Sequence, residues 1–399
     1  MDLVGSGISA FAARLHRVAA RPGANFTASP LSIALALGML RAGARGTTGS
    51  QIDAVLGLPP GTAPGGSAHA TLAALARDLV TVAPMPIVAV APMPIVAVAP
   101  MPIVAVAPMP IVAVANALFV DDGFAAAVQP AFTDLLAQTY GARITSLHFD
   151  DPGAAAAINA WVDAETRGRI DRLFDSLGAG TRLVLANAVY LKATWQAQFD
   201  RPTTVPGDFT VAPGTTVQAQ LMRHRFEGVR YAETADWQRI TLPYVGGTLA
   251  MHVALPRTVR TEVDALADLL PVATASTASD QPAWVALTLP RWDTHSDLDL
   301  VRVLARLGMT DAFDGRKADL SGIAPGLVVG DAVHRANITV DEEGTEAAAV
   351  TGLAMRMALR AGEPVPMRAD RPFVWAVVHE PTGTPVFVGH VADPSGDVR

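Results

Sequence analysis

The residues whose types and spacing suggest chemistry lie mainly in one stretch near the C-terminus, from Val340 to Trp375. A link of this length between strand-like blocks is uncommon in a compact domain and is usually functional. Because strand side chains alternate between two faces, one face of the segment carries only small residues and could enter a packed interior. That face comprises Thr345, Ala347, Ala349 and Thr351. The segment could therefore exist as a loop and as a central strand, with Gly344 as a hinge.

Signatures of catalysis are missing from the rest of the sequence. The chain has no cysteine, which excludes a disulfide scaffold, a thiol nucleophile and cysteine-based metal sites. It has no GxSxG, HExxH or phosphate-loop motif, and its nine histidines are scattered singly. Ser29 and His334 could be considered as a hydrolase dyad, but a serine that caps a helix has its oxygen committed. We therefore expect no enzymatic activity, no cofactor and no metal.

Charge and composition restrict the partners. The 399 residues carry a formal net charge of −7, so the chain lacks the basic field that nucleic-acid binding needs. Half of the residues are apolar and 17% are charged, which indicates a folded chain. The first residues are typical of an amphipathic helix rather than of a secretory signal, which predicts a cytoplasmic location.

An uncharged segment from Leu79 to Val120 contains the eight-residue unit APMPIVAV four times, from Ala83 to Val114. Two prolines per unit exclude an unbroken helix across a bilayer, so we expect no membrane association. Each unit offers a strand-like IVAV bounded by a Pro-Met-Pro that pairs poorly in a sheet. We interpret the three surplus copies (3 × 8 = 24 residues) as an expansion looped out of one domain. A self-associating segment, and hence a repeat-driven assembly protein, is the alternative.

Secondary-structure patterns place helices mainly in the first third of the chain and strands in the rest. We predict helices over 30–43, 46–57, 68–80, 128–141, 154–170 and 295–309. We predict strands over 115–120, 181–195, 332–341, 373–379 and 385–391, and a hairpin over 238–256 around Gly246-Gly247. Because helices and strands do not alternate regularly, this order is typical of the α+β class.

About ten motifs occur in an order that resembles the serpin family of serine protease inhibitors. They are NFTASPLSI (25–33), INAWVDAETRGRI (158–170), LANAVYLKATW (185–195), LPYVGGTLAMHVALP (242–256), LGMTDAF (307–313), ADLSGI (318–323), VHRANITVDEEGTE (333–346), DEEGTEAAA (341–349), DRPFVW (370–375) and PVFVGHVADP (385–394). The resemblance implies a single serpin domain over residues 1–399, in a bacterial-type member that carries the 83–114 repeat as an insertion.

The fold implied by the resemblance is α+β, with a large, mainly antiparallel central sheet, further sheets and eight or nine helices. Residues 342–371 would form the hinge and an exposed reactive loop. The family's hinge would comprise Glu342, Gly344, Thr345, Glu346, Ala347, Ala348 and Ala349. The resemblance also implies a monomer, and it allows an extracellular location as an alternative to the cytoplasm.

For function, the resemblance implies a suicide-substrate inhibitor of serine proteases. The protease would cleave the loop and be trapped as an acyl-enzyme while the cut loop enters the main sheet as an added strand. A non-inhibitory serpin, acting as a binding or chaperone-like protein, is the alternative. Bulky or charged residues on the inward face would block insertion, so the small residues at these positions favour the inhibitor.

The family's spacing, counted from Glu342, places the reactive bond between Ala358 and Leu359. The stretch down to Pro372 is slightly longer than the commonest pattern, which keeps Arg360 and, less so, Arg356 as alternatives. Ala358 suits an elastase- or subtilisin-like protease, which we favour. Arg360 suits a trypsin-like enzyme, whose primary pocket bears a carboxylate.

A second group of residues matches the polar cluster that the family keeps beneath the sheet where strands part. It comprises Ser29, Ser32, Asn187 and His334, and Trp195 matches the tryptophan at the top of the sheet, where insertion begins. Taken singly, Ser29 reads as a helix cap and both His334 and Trp195 as core residues. Within the matched motifs we favour a shared network, because buried polar groups need partners and such a network can exchange them when strands separate.

Overall fold

Two β-sheets and a set of helices make up the fold in the computed structural model. It describes residues 3–59, 63, 66–80, 110–178, 180–274, 281–345 and 363–396. The α-helical segments in this part of the chain are α1 (Leu3–Ala19), α2 (Pro30–Gly43), α3 (Gly46–Leu56), α4 (Ser67–Val80), α5 (Asp122–Ala125), α6 (Pro130–Leu135), α7 (Ala154–Glu165), α8 (Val263–Ala267), α9 (Leu270–Thr274) and α10 (Leu300–Arg306). Without the single-turn α5, nine described helices remain, in agreement with the expected eight or nine.

The strands are, in chain order, β1 (Phe26–Ala28), β2 (Ile111–Asp121), β3 (Ile144–Leu147), β4 (Leu183–Thr194), β5 (Val205–Ala212), β6 (Thr215–Glu233), β7 (Trp237–Pro243), β8 (Leu249–Pro256), β9 (Gln281–Pro290), β10 (Trp292–Asp299), β11 (Val329–Val340), β12 (Gly344–Thr345), β13 (Val365–Arg368), β14 (Phe373–His379) and β15 (Thr384–Val391). Six of them form one sheet in the order β10-β11-β12-β4-β2-β3. The other sheet has nine strands, in the order β1-β15-β14-β8-β7-β6-β9-β13, with β5 also paired to β6. The predicted α+β class is confirmed.

Helix α2 lies between the two sheets and packs against β15 of one and β2 and β4 of the other. It begins as its sequence predicts: the Ser29 side chain accepts a hydrogen bond from the backbone N–H of Ser32, and Pro30 takes the first turn. All of its residues are buried. Helix α2 is therefore a buried core helix against which the six-stranded sheet packs.

Two sequence predictions need correction. The helix predicted over 295–309 begins only at Leu300, because the preceding residues form β10. Thr294, Ser296 and Leu298 alternate with more exposed residues, which is the burial pattern of a strand paired to β11. The strand predicted over 115–120 begins at Ile111, inside the fourth repeat copy.

The rest of the repeat, 83–109, lies outside the described residues. Within the described ranges, no helix is both long enough and apolar enough to span a bilayer.

Candidate functional site at the seam between β4 and β11

The site is built on a seam in the middle of the six-stranded sheet. Strands β4 and β11 run parallel and pair directly from Leu183 opposite Val329 to Tyr190 opposite Asn337. Above that point the two strands separate and β12 lies between them, antiparallel to both. The sheet thus already contains the first residues of the segment that the sequence identified as a hinge.

Thr345 is the residue held deepest in this gap. It pairs with Ala193 of β4 and Val340 of β11, and its side chain is completely buried. Its hydroxyl is 2.8 Å from the hydroxyl of Tyr244, which is itself fully buried. Burial raises the pKa of Tyr244, so the phenol stays neutral as a hydrogen-bonding partner.

A tight turn connects β11 to β12. The Asp341 carboxylate accepts hydrogen bonds from the backbone N–H groups of Glu343 (2.8 Å) and Gly344 (3.1 Å). Gly344 has a φ of +150°, and a Cβ atom there would lie 2.0 Å from the carbonyl oxygen of Ala193. Only glycine fits this position, at the bend between β11 and β12.

Two carboxylates of the turn are buried in ion pairs. Glu342 is 1% exposed and accepts hydrogen bonds from Arg291 Nε (2.8 Å) and Thr204 Oγ1 (2.5 Å). Burial alone would raise the pKa of Glu342, but the hydrogen bonds from Arg291 and Thr204 outweigh it and lower that pKa below its ordinary value. Glu343 pairs with Arg201 at 2.5 Å. These contacts hold the hinge against Arg291, which follows β9, and against Arg201 and Thr204, which precede β5.

Trp195 lies where β4 ends, at the top of the gap. Its indole Nε1–H donates to the carbonyl oxygen of Asp341 at 3.0 Å. Its ring stacks on Tyr244 with centroids 4.4 Å apart and planes at 8°. The tryptophan therefore contacts both the hinge turn and the tyrosine that holds Thr345.

A row of polar side chains crosses the sheet lower down. Asn116 of β2 is opposite Asn187 of β4, and Asn187 is opposite His334 of β11. Asn187 Nδ2 donates to the carbonyl oxygen and to Oγ of Ser32, each at 2.8 Å. His334 Nδ1 forms a hydrogen bond with Asn187 Oδ1, so this row of side chains crosses the seam between β4 and β11.

His334 also connects the row to helix α2. Its Nε2 accepts from the backbone N–H of Ser29 at 3.1 Å, which places the imidazole proton on Nδ1, directed at Asn187. Burial lowers the pKa of His334 to about 3, so the ring is neutral. Ser29 Oγ donates instead to the carbonyl oxygen of Val386 at 2.6 Å. The hydroxyl is not aimed at the imidazole, so the pair does not form a nucleophile and base.

The connection between α7 and β4 covers the front of the seam. The guanidinium of Arg169 lies over the ring of Tyr190 on β4, 5.4 Å from its centroid. Arg335 of β11 donates to the carbonyl oxygen of Arg172 and to Asp297 of β10. One segment therefore contacts both sides of the seam and must move if a strand is added there.

The match of a family model decides the family. The model of the serpin (serine protease inhibitor) family matches residues 6–394. The chain belongs to the serpin family.

Relatives support this assignment along the chain. The serpin is 31% identical to Iripin-8 of Ixodes ricinus over 387 residues, covering 92% of this chain and 87% of the relative. It is 32% identical to human glia-derived nexin over 395 residues, covering 94% of this chain and 89% of the relative. These relatives are animal proteins, so membership of a bacterial branch stays a prediction.

Solved structures share the fold. Serpin48 of Tenebrio molitor superposes with a TM-score of 0.81 at 25% identity, covering 98% of both chains. Human thyroxine-binding globulin superposes with a TM-score of 0.80 at 24% identity, covering 98% of this chain and 99% of the globulin.

The predicted residues of the polar cluster are brought together in this serpin. Ser29, Ser32, Asn187 and His334 contact one another as described, and Trp195 is at the top of the gap. Of the hinge residues, Glu342, Gly344 and Thr345 are described, whereas Glu346, Ala347, Ala348 and Ala349 lie outside the described residues. Ala358, Leu359, Arg360 and Arg356 also lie outside them.

Sequence reasoning missed Asn116, Tyr244, Thr204, Arg201 and Arg291. Tyr244 and Asn116 had a detectable signal, since each polar side chain interrupts an otherwise apolar strand segment, LPYVGG and VANAL. The two arginines and the threonine had none, because they are ordinary surface types in unrelated segments.

Proposed function

We propose that this serpin inhibits serine proteases by a suicide-substrate mechanism. The observation that carries the proposal is the burial of Thr345 between β4 and β11, because it fixes the direction in which the following residues would extend β12 down the seam. Insertion of a serpin loop is an established case of strand addition. The small residues at positions 347, 349 and 351 suit the packed side of such a strand.

The chemistry is supplied by the protease. Its serine attacks the carbonyl carbon of the residue before the reactive bond, proposed as Ala358. The peptide bond breaks, the amine of Leu359 leaves, and an ester joins the loop to the enzyme. The loop, cut free at one end, enters the sheet and carries the enzyme with it. About 15 residues at about 3.3 Å each give roughly 50 Å of travel, enough to distort the enzyme before water hydrolyses the ester.

Opening the seam has an energetic cost that explains why the native form persists. The hydrogen bond between Asn187 and His334 must break, and Tyr190 must separate from Asn337. A buried polar group left without a partner costs about 1–3 kcal/mol. Insertion is therefore blocked kinetically until cleavage frees the loop.

A binding role is the alternative, since the fold is shared with a thyroxine-binding globulin whose structure contains thyroxine. The two functions differ in one product. An inhibitor forms a covalent complex with a protease, and a carrier does not.

The experiment is incubation of the intact protein with elastase-, subtilisin- and trypsin-like serine proteases. We expect a complex that survives denaturant with an elastase- or subtilisin-like enzyme, and a released C-terminal peptide that begins at Leu359. A peptide that begins one residue after Arg360 would assign a trypsin-like target instead. Cleavage without any complex would contradict inhibition.

The matched variants are Thr345→Arg and Thr216→Arg. An arginine at position 345 would place an unpaired charge inside the sheet, which opposes insertion. We expect this variant to be cleaved as a plain substrate. Thr216 is exposed on β6, so the same substitution there should leave complex formation unchanged. Full inhibition by Thr345→Arg would disprove the role of the hinge.

A further inference from the structure

Two exposed arginines stand on β6, near the strand that follows the reactive segment. Arg223 and Arg225 are two residues apart, so their side chains leave the strand on the same face, about 7 Å apart. In the part of the chain that the structure describes, neither arginine forms an ion pair with a carboxylate. This differs from the neighbouring Arg201 and Arg230, which pair with Glu343 and Glu380.

The sheet register extends this charge towards the reactive segment. Arg223 is opposite Thr288 of β9, and Thr288 is opposite Arg368 of β13. Cross-strand partners share a face, so the row from Arg223 to Arg368 is about 10 Å wide. Arg368 is exposed and pairs with Asp370 at 2.8 Å, and Asp370 also accepts a hydrogen bond from Arg371 at 2.8 Å, so this end of the row carries two arginines and one carboxylate.

The local charge, rather than the net charge of −7, determines the field at this surface. At physiological salt, charges more than about 8 Å apart are largely screened. Glu227 lies two residues beyond Arg225, inside the irregularity of β6 between Phe226 and Val229, so its carboxylate offsets part of the local positive charge. Burial lowers the pKa of His224, so the histidine between the two arginines adds no charge at neutral pH.

A protease at the proposed reactive bond would reach this surface. Glu363 lies five positions after Ala358, so the bond lies within about 17 Å of the start of the described chain before β13. A protease of about 230 residues has a radius of gyration of about 17 Å and is about 45 Å across. An enzyme seated on the loop would therefore extend over the face of β13, β9 and β6.

We propose that Arg223, Arg225 and Arg368 form a secondary docking surface for an acidic patch beside the active site of the target protease. The inference rests on the proposed inhibitory function and adds the chemistry of the partner. Four arginines (Arg223, Arg225, Arg368 and Arg371) stand here against two carboxylates (Glu227 and Asp370), a local excess of two positive charges. A protein patch fits this surface better than a polyanion, because two charges are few compared with the six to ten contacts that make polyanion binding strong. Such a surface raises the association rate more than the final affinity.

The test compares Arg223→Glu/Arg225→Glu with the control Arg21→Glu/Arg302→Glu. Arg21 and Arg302 are exposed arginines on the α1–α10 side of the molecule. The measurement is the second-order rate of covalent complex formation with the fastest of the elastase-, subtilisin- and trypsin-like enzymes. In about 20 mM salt we expect the first variant to be slower by about tenfold or more, and in about 0.5 M salt the difference should vanish. The control should stay within about twofold of the unchanged protein.

The outcomes separate this surface from the inhibitory function. The number of inhibitor molecules consumed per protease should not change, because the hinge and loop are untouched. Equal rates for both variants at low salt would overturn the docking surface and leave the inhibitory function standing. This holds even if Arg223→Glu/Arg225→Glu were retained less on immobilised heparin, because such a loss would report binding of a polyanion and not of the protease. Absence of a complex with the unchanged protein would refute the inhibitory function and the docking surface with it.

Discussion

At the scale of single residues, the hinge depends most strictly on Gly344. Its φ of +150° is unfavourable for any side chain, and a Cβ would also lie 2.8 Å from Cα of Thr194. The position is therefore constrained by its own backbone and by its neighbour on β4.

We expect Gly344→Ala to force β12 out of the gap and to cost about 1–3 kcal/mol, because strain and lost pairing act together. Thermal unfolding followed by circular dichroism measures the loss. Gly315→Ala is the control, since a Cβ there has no atom within 4 Å and no positive φ opposes it. Equal melting temperatures for the two variants would contradict the role assigned to Gly344.

At the scale of elements, β2 shows how the repeat joins the fold. Ile111–Val114, the IVAV of the fourth copy, pair with β4 from Lys192 to Val189. Because the four copies are identical, any one of them could provide this part of the strand. The expansion interpretation remains a prediction that a deletion can test.

Deletion of residues 83–106 removes three copies and leaves one in front of Ala115. We expect the same rate of protease inhibition and a melting temperature that is unchanged or higher, because closing a shorter loop costs less entropy, by about 0.6 kcal/mol for each halving.

Deletion of all four copies, 83–114, is the control. It removes residues paired in the central sheet and should lower the melting temperature clearly. If loss of three copies alone abolished folding or inhibition, the repeat would have a function of its own.

At the scale of the whole molecule, the proposed mechanism requires the intact form to be less stable than the cleaved form. Cutting the loop at Ala358–Leu359 should let it enter between β4 and β11 and complete the sheet with new backbone pairs. We expect the cleaved protein to melt at a markedly higher temperature, measured by scanning calorimetry on both forms. Thr345→Arg, cleaved in the same way, should show no such gain. Identical melting of intact and cleaved protein would refute the mechanism.

A buried histidine pair makes the whole fold sensitive to acid. His16 of α1 donates from Nε2 to Nδ1 of His390 on β15 at 2.7 Å, and His390 Nε2 donates to the carbonyl oxygen of Ala24 at 2.7 Å. Burial and the neighbouring His390 lower the pKa of His16 to about 3, and burial lowers that of His390 to about 4. Both rings are therefore neutral in the folded state.

Because these folded-state pKa values are depressed, their stabilisation is complete above pH 6.5 and is lost as the pH falls towards 4. Each histidine contributes a slope of about 1.4 kcal/mol per pH unit. We expect the melting temperature to fall steeply from pH 6.5 to 4, and His16→Gln to reduce the slope. His295→Gln, at an exposed position on β10, should not change it. An unchanged slope in His16→Gln would show that the pair has no part in acid lability.

The local sequence determined much of this protein. A long apolar run marked β4, a strand-like run marked β11, and a period-two pattern marked the small face of the hinge. A serine and a proline marked the start of α2, and the motif order indicated the family. These features are encoded by neighbours along the chain, where spacing alone fixes which face a side chain occupies. The error at β10 has the same origin, because HSDLD fits either period and only pairing with β11 selects the strand.

Tertiary structure alone decided which distant residues meet. Arg291 and Glu342 are 51 positions apart and carry no shared pattern, yet their ion pair anchors the hinge. The row Asn116–Asn187–His334 exists only because three strands pair in one register, and the exposed Arg223 of β6 lies in one row with Arg368 only because β9 and β13 lie beside β6. Pairing between strands far apart in sequence depends on how the whole chain closes, and no local period encodes it.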